Sequence, residues 1–213
     1  MQSNRRFDSQ QEYIINSFLN HFYFKKVSPE TKLIKDAELQ IAGVDFRKRN
    51  KDGSFSNFDI KAQSSPQYIN NPRPTYILEL SSLDKYDEPF VGWFLNGKLI
   101  TNYYIFVWLP KANVGKDGRL KNMYDIQEAE VMTVSRKKLH EYIMPFLKKI
   151  NLERTINIMR DTQQKKRRLT DEIYFSHTPN LQEKPVNLVV QKNILKNFAV
   201  EHCVVTQEGI SSL

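Results

Sequence analysis

Apolar side chains at Ile14, Phe18 and Phe22 recur every fourth position, the spacing of one helix face, and Asp8 followed by Gln11 forms a capping-box pattern ahead of them. The helix expected here should cover one face of a sheet. Residues 38–47 read as a strand, Asn50-Lys51-Asp52-Gly53 as a turn and residues 55–63 as the returning strand of a hairpin. Pro66, Pro72 and Pro74 then impose an irregular connection. Residues 75–80 follow as a strongly apolar strand suited to a central place in the sheet, interrupted by Glu79 near its end.

Asn96-Gly97 predicts a tight turn, and residues 103–109 a strand covered on both sides. Its Tyr103, Tyr104, Phe106 and Trp108, like nearby Trp93, read as core more readily than as a stacking surface. Beyond a loop with Gly115 and Asp117-Gly118, a short strand is expected near 131–134. A helix capped by Ser135 should then run toward Phe146, with another over 152–160. The run Lys165-Lys166-Arg167-Arg168 reads as a solvated loop or helix end, with a phosphate-contacting patch as the sharper alternative. Apolar stretches at 186–190 and 198–204, separated by a short helix over 191–196, are expected to complete the same domain. The organisation expected is one domain over 1–213, with a core at about 8–110 and a C-terminal α/β segment at about 125–213 packed on it.

Composition fits that picture. With 213 residues, 40% apolar and 12% aromatic, the chain can bury a core without covalent staples. Its single cysteine, Cys203, cannot form an internal disulfide and reads as a core thiol in a cytoplasmic protein. The amino end is polar through Gln11, and no apolar run approaches the roughly 20 residues that span a bilayer. A soluble protein with no signal peptide and no membrane partner is therefore expected. The net charge of +8, from 32 basic and 24 acidic side chains, favours polyanionic partners. His21, His140, His177 and His202 are scattered without metal-ligand spacing, which argues against zinc chemistry, and no glycine-rich phosphate loop is present.

Carboxylates and a lysine inside apolar segments require partners. Asp45 follows Gly43-Val44, Asp59-Ile60-Lys61 lies on the returning hairpin strand, and Glu79 interrupts the next strand. The two-residue strand period sends Asp59, Lys61 and Gln63 to one face and Ile60 to the other. If Asp45 and Asp59 lie on adjacent strands and Glu79 enters from the next, three oxygen ligands suited to Mg²⁺ or Mn²⁺ converge at one sheet edge. Such metals support phosphodiester hydrolysis, and Lys61 would add positive charge beside the phosphate or act on the attacking water. Alternatively, Asp59 and Lys61 belong to a surface hairpin and face solvent.

Together these segments resemble the PD-(D/E)XK nuclease superfamily. Gly43-Val44-Asp45 matches the first acidic element, with Val44 where the family's name has proline, and Asp59-Ile60-Lys61-Ala62-Gln63 matches the (D/E)xK strand. The match runs from the first helix to about Leu109. It implies a restriction-endonuclease-like fold, a mixed β-sheet flanked by helices, although the helix usually following the third core strand finds no counterpart in 84–97. It also implies that Asp45 and Asp59 bind metal and that Lys61 is catalytic. Glu79 would bind a second metal or pair with Lys61, and Glu38 and Gln63 are auxiliary candidates. The function implied is that of a Mg²⁺-dependent deoxyribonuclease, with RNA as the alternative substrate and a homodimer or larger nucleoprotein complex as the assembly. Arg47, Lys48, Arg49 and Lys51 would clamp the nucleic-acid backbone, or else form a solvated turn. A noncatalytic nucleic-acid-binding or regulatory protein on the same fold, and a structural or partner-binding component of a larger complex, are the other classes open.

Overall fold

The computed structural model describes residues 5–213, with side chains from Ser9 onward. Helix α1 (Arg5–Phe18) continues through a π-helical segment (Leu19–Phe24) into a last turn, α2 (Lys25–Val27). Strand β1 (Lys32–Leu33), the short helix α3 (Ala37–Ile41) and strands β2 (Phe46–Arg49), β3 (Phe55–Ala62), β4 (Thr75–Leu83), β5 (Pro89–Val91) and β6 (Tyr103–Ala112) follow. A 3-10 turn (Met123–Asp125) leads into β7 (Ile126–Ser135), α4 (Arg136–Lys148) and α5 (Leu152–Asp161). The chain ends with β8 (Lys166–Arg168), β9 (Ile173–His177), β10 (Val186–Gln191), α6 (Lys192–Lys196), β11 (Ala199–Thr206) and β12 (Ile210–Ser212).

The architecture is mixed α/β, with two sheets in two compact units. One unit gathers residues 5–73, 100–136 and 199–213, and the other 74–99 and 137–198. Neither is the contiguous core of 8–110 or the extension of 125–213 expected from sequence. The stretches 186–190 and 198–204 are likewise separated, because β10 belongs to the second unit and β11 to the first.

In the first unit the strand order is β1-β2-β3-β6-β7-β11-β12. β3 and β6 run parallel, and every other neighbouring pair is antiparallel. Parallel neighbours require a long crossover, here the chain from 63 to 102 that carries β4 and β5 into the other sheet. Ile14 and Phe18 of α1 are buried as their spacing predicts, together with Ile15 and Leu19. They share one apolar cluster with Ile105, Val107 and Leu109 of β6 and with Phe46. On β6 the alternate residues Tyr104, Phe106 and Trp108 are fully buried too, so this strand is covered on both faces and these three aromatics are core, while Tyr103 at its start is half-buried. α1 begins at Arg5, upstream of Asp8, so Asp8 does not occupy a cap position; its side chain lies outside those described. Gln11 is buried and serves a different purpose, donating to the Leu120 carbonyl and accepting the Leu120 amide, both at 3.0 Å.

Residues 38–41, the start of the expected strand, instead belong to α3, because the Asp36 side chain caps this helix by accepting the Leu39 amide at 2.9 Å. Gly43 then turns the chain at φ 79°, and strand pairing begins at Phe46.

In the second unit the order is β5-β4-β10-β9-β8, antiparallel throughout. β4 is an interior strand, as its apolar run implies, but of this sheet. α5 and α6 pack against β10, and α4 buries Leu139, Ile143 and Leu147 at successive turns. Lys166, Arg167 and Arg168 form the exposed edge strand β8 rather than a loop or helix end.

Candidate active site

Register on the β2–β3 hairpin places the first carboxylate. Pairing runs from Arg49 opposite Phe55 to Phe46 opposite Phe58 and then stops, because the chain before Phe46 turns away. Asp45 sits at that end, its amide donating to the Phe58 carbonyl at 2.9 Å and its carbonyl accepting the Ile34 amide at 2.8 Å. Its Oδ2 accepts the amide of Ile60 at 2.7 Å, so the side chain stands in for the missing strand neighbour. Ile60 lies between Asp59 and Lys61, and Asp45 is thereby held at the motif.

On β3, Asp59 and Lys61 share a face, with Nζ of Lys61 2.8 Å from Oδ1 of Asp59. Asp59 is 4% exposed, and its Oδ2 is buried without a hydrogen-bond partner. These residues therefore form a recessed cluster rather than a solvated hairpin face. Burial and the facing charge of Asp59 push Asp45 up to about 7, against the pull of the Ile60 amide and of Lys61. Burial alone would pull the Lys61 ammonium down. The charge and hydrogen bond of Asp59, with Asp45 and Glu12 adding, outweigh it and hold Lys61 above its ordinary value.

Three further residues join this cluster without a sequence motif to mark them. Glu12, exposed on α1, acts electrostatically on both Asp45 and Lys61. Its one signal in the sequence is a carboxylate on the helix before the motif. Tyr104 stands opposite Asp59 in the β3–β6 register, and its hydroxyl accepts Nε of Arg136 at 3.1 Å. Burial pushes this phenol up to about 12, with Arg136 opposing and Asp59 adding. A core aromatic and the first residue of a helix carry no pattern that singles them out.

The remaining candidates are distributed differently. Glu79 lies on β4 opposite Asn187 in the second unit's sheet, and the strand beside β3 is β6, so Glu79 does not enter from the strand next to Lys61. Glu38 is exposed in the first turn of α3. Gln63 binds the loop after β3, accepting the Arg73 amide at 2.9 Å and donating to its carbonyl at 3.3 Å. Arg47 donates to Asn57 at 2.8 Å and stacks over Phe55 at 4.9 Å, Lys48 pairs with Glu30 at 2.8 Å, and Arg49 and Lys51 are exposed. In the second unit Lys165, Lys166, Arg167 and Arg168 are exposed, with Lys166 3.9 Å over the Tyr174 ring and Arg168 3.4 Å from Asp171.

Among the described residues no three His, Cys, Asp or Glu side chains gather in a metal-holding group. Two carboxylates, one with an unpartnered buried oxygen, nonetheless fit a hard cation such as Mg²⁺, which is held by one or two carboxylates with water and phosphate completing its shell. Comparison with family models, with curated proteins and with solved structures found no match. Among the described residues no helix is long and apolar enough to cross a membrane.

Proposed function

We propose that this chain is a metal-dependent nuclease that hydrolyses DNA phosphodiester bonds, built on a restriction-endonuclease-like fold. The observation that carries this reading is the Ile60 amide donating to Asp45, which brings a second carboxylate to the Asp59–Lys61 pair. The mixed sheet with α1 packed on it supports the fold. A bound Mg²⁺ or Mn²⁺ would supply charge neutralisation at the phosphate and an acidified water. Asp45 and Asp59 would hold it, the unpartnered Oδ2 of Asp59 offering a free acceptor. Lys61, kept protonated by its carboxylate neighbours, stabilises charge on the phosphoryl oxygens and is poorly suited to act as a base. The net charge of +8 supports a polyanionic substrate.

The test is cleavage of labelled single- and double-stranded DNA and RNA in Mg²⁺, Mn²⁺ or EDTA, by the natural protein and by folded Asp59→Ala and Lys61→Ala. Metal-dependent cutting of DNA lost in both variants is expected; cutting of RNA alone would replace the substrate. The closed Asp59–Lys61 ion pair favours one second reading, a noncatalytic nucleic-acid-binding protein. It predicts no cutting by any preparation and binding unchanged in both variants.

A further inference from the structure

A cavity of about 800 Å³ opens on the first unit between α1, the β1 segment and the 3-10 turn at 123–125. Four exposed lysines line it: Lys25 after the π segment, Lys32 and Lys35 at β1, and Lys121 on the facing wall. No carboxylate stands among its described lining residues. Two aromatic rings also line it and are well exposed, Tyr13 at 69% and Tyr124 at 56%. The Tyr124 ring is braced edge-on by Phe22, with centroids 6.1 Å apart.

This combination selects among polyanions. Lysines neutralise phosphates along a backbone, while exposed aromatic rings offer stacking surfaces to bases. A duplex keeps its base faces stacked internally and would leave the tyrosines unused. An acidic peptide would engage the lysines and leave the rings unexplained. One wall of the groove is tied to Asp45 through the backbone. Ile34, between the lining residues Leu33 and Lys35, donates its amide to the Asp45 carbonyl at 2.8 Å, and Lys32 is in register with Arg47 on β2.

We propose that this groove binds a single-stranded nucleic acid, phosphates on Lys25, Lys32, Lys35 and Lys121 and bases on Tyr13 and Tyr124, and leads it to Asp45, Asp59 and Lys61. The destination rests on the nuclease reading; the binding does not.

The experiment is fluorescence anisotropy in EDTA, with a labelled oligo-dT and a hairpin duplex of equal nucleotide count, paired with the cleavage assay in Mg²⁺. The proteins are wild type, Tyr13→Ala/Tyr124→Ala, Tyr13→Phe/Tyr124→Phe, Lys32→Glu/Lys35→Glu and Asp59→Ala, each checked by its melting temperature. Wild type should prefer the single strand. The double alanine variant should lose about 5- to 150-fold in single-strand affinity per base released, with duplex binding little changed and the phenylalanine pair restoring affinity. The lysine variant should flatten the salt dependence of binding by about 0.7 for each phosphate it no longer neutralises. Asp59→Ala should bind at least as tightly as wild type. Unchanged single-strand affinity in the alanine variant, or a wild type that prefers duplex, overturns the groove. Groove-dependent binding with no cleavage by any preparation defeats the nuclease reading and leaves the groove standing, and cleavage with groove-independent binding does the reverse.

Discussion

The Asp45 carboxylate takes the backbone amide of Ile60 at 2.7 Å, in the place where a strand neighbour would have supplied a carbonyl. One contact both terminates the β2–β3 ladder and delivers a second negative charge to the Asp59–Lys61 pair. The chemistry of the cluster follows from that crowding, since two recessed carboxylates share one ammonium.

Lys61→Met removes that ammonium. In the proposed nuclease, cleavage should fall about 10²- to 10³-fold, the usual loss for one preorganised charge-stabilising donor. In EDTA the variant should melt below wild type, because Asp59 and Asp45 lose their counter-charge. Mg²⁺ should then raise its melting temperature more than that of wild type. Equal metal-induced shifts by scanning fluorimetry would count against a cation seated at these carboxylates.

Asp45 titrates at about 7 in the folded chain, against an ordinary 3.8. Between those values the folded state binds more protons than the unfolded one, so stability is fully present below about pH 4 and is lost as pH rises through 7. In metal-free buffer, urea midpoints should fall across this window, and Asp45→Asn should flatten the profile. Metal binding displaces the same proton, so Mg²⁺ affinity read by calorimetry should tighten as pH rises toward 8, a value about one unit above that titration.

Gln11→Ala should destabilise the first unit. It removes both hydrogen bonds to the buried Leu120 backbone and leaves an amide and a carbonyl unsatisfied, at a cost of about 1–3 kcal/mol each. Urea denaturation measures the loss. A change of a few tenths would show that water replaces the side chain.

Gly92→Ala should destabilise the second unit, because a Cβ there would stand 2.5 Å from the backbone carbonyl of Glu79. The Phe94 amide donates to that same carbonyl at 3.1 Å, so the strand end has little room to yield. A loss of about 1–3 kcal/mol is expected by the same denaturation measurement.

Cys203 is buried, and burial with the nearby Glu201 charge pushes its thiol up to about 12. Alkylation by iodoacetamide at neutral pH should be negligible in the native protein and complete in denaturant. Rapid native labelling would show that β11 opens.

Local pattern alone specified much of this protein. The four-residue spacing of Ile14 and Phe18 found the buried face of α1, the turn at 50–53 found the hairpin, and the two-residue period correctly put Asp59 and Lys61 on one face. Each is a property of a few consecutive residues whose geometry hardly depends on the rest of the chain. Which sheet a strand joins is not such a property. The apolar run of β4 satisfies an interior position in either sheet, so Glu79 went to the second sheet and β6 took the place beside β3. The Asp36 cap overrode the strand reading of 38–41 through a side-chain bond to the Leu39 amide. Glu12, Tyr104 and Arg136 reached the cluster only through packing of α1 and the parallel β3–β6 register, contacts between residues far apart in sequence. The sequence by itself determined the motif and the elements that carry it. Tertiary structure decided the company those charges keep, because burial and long-range pairing depend on how distant segments meet.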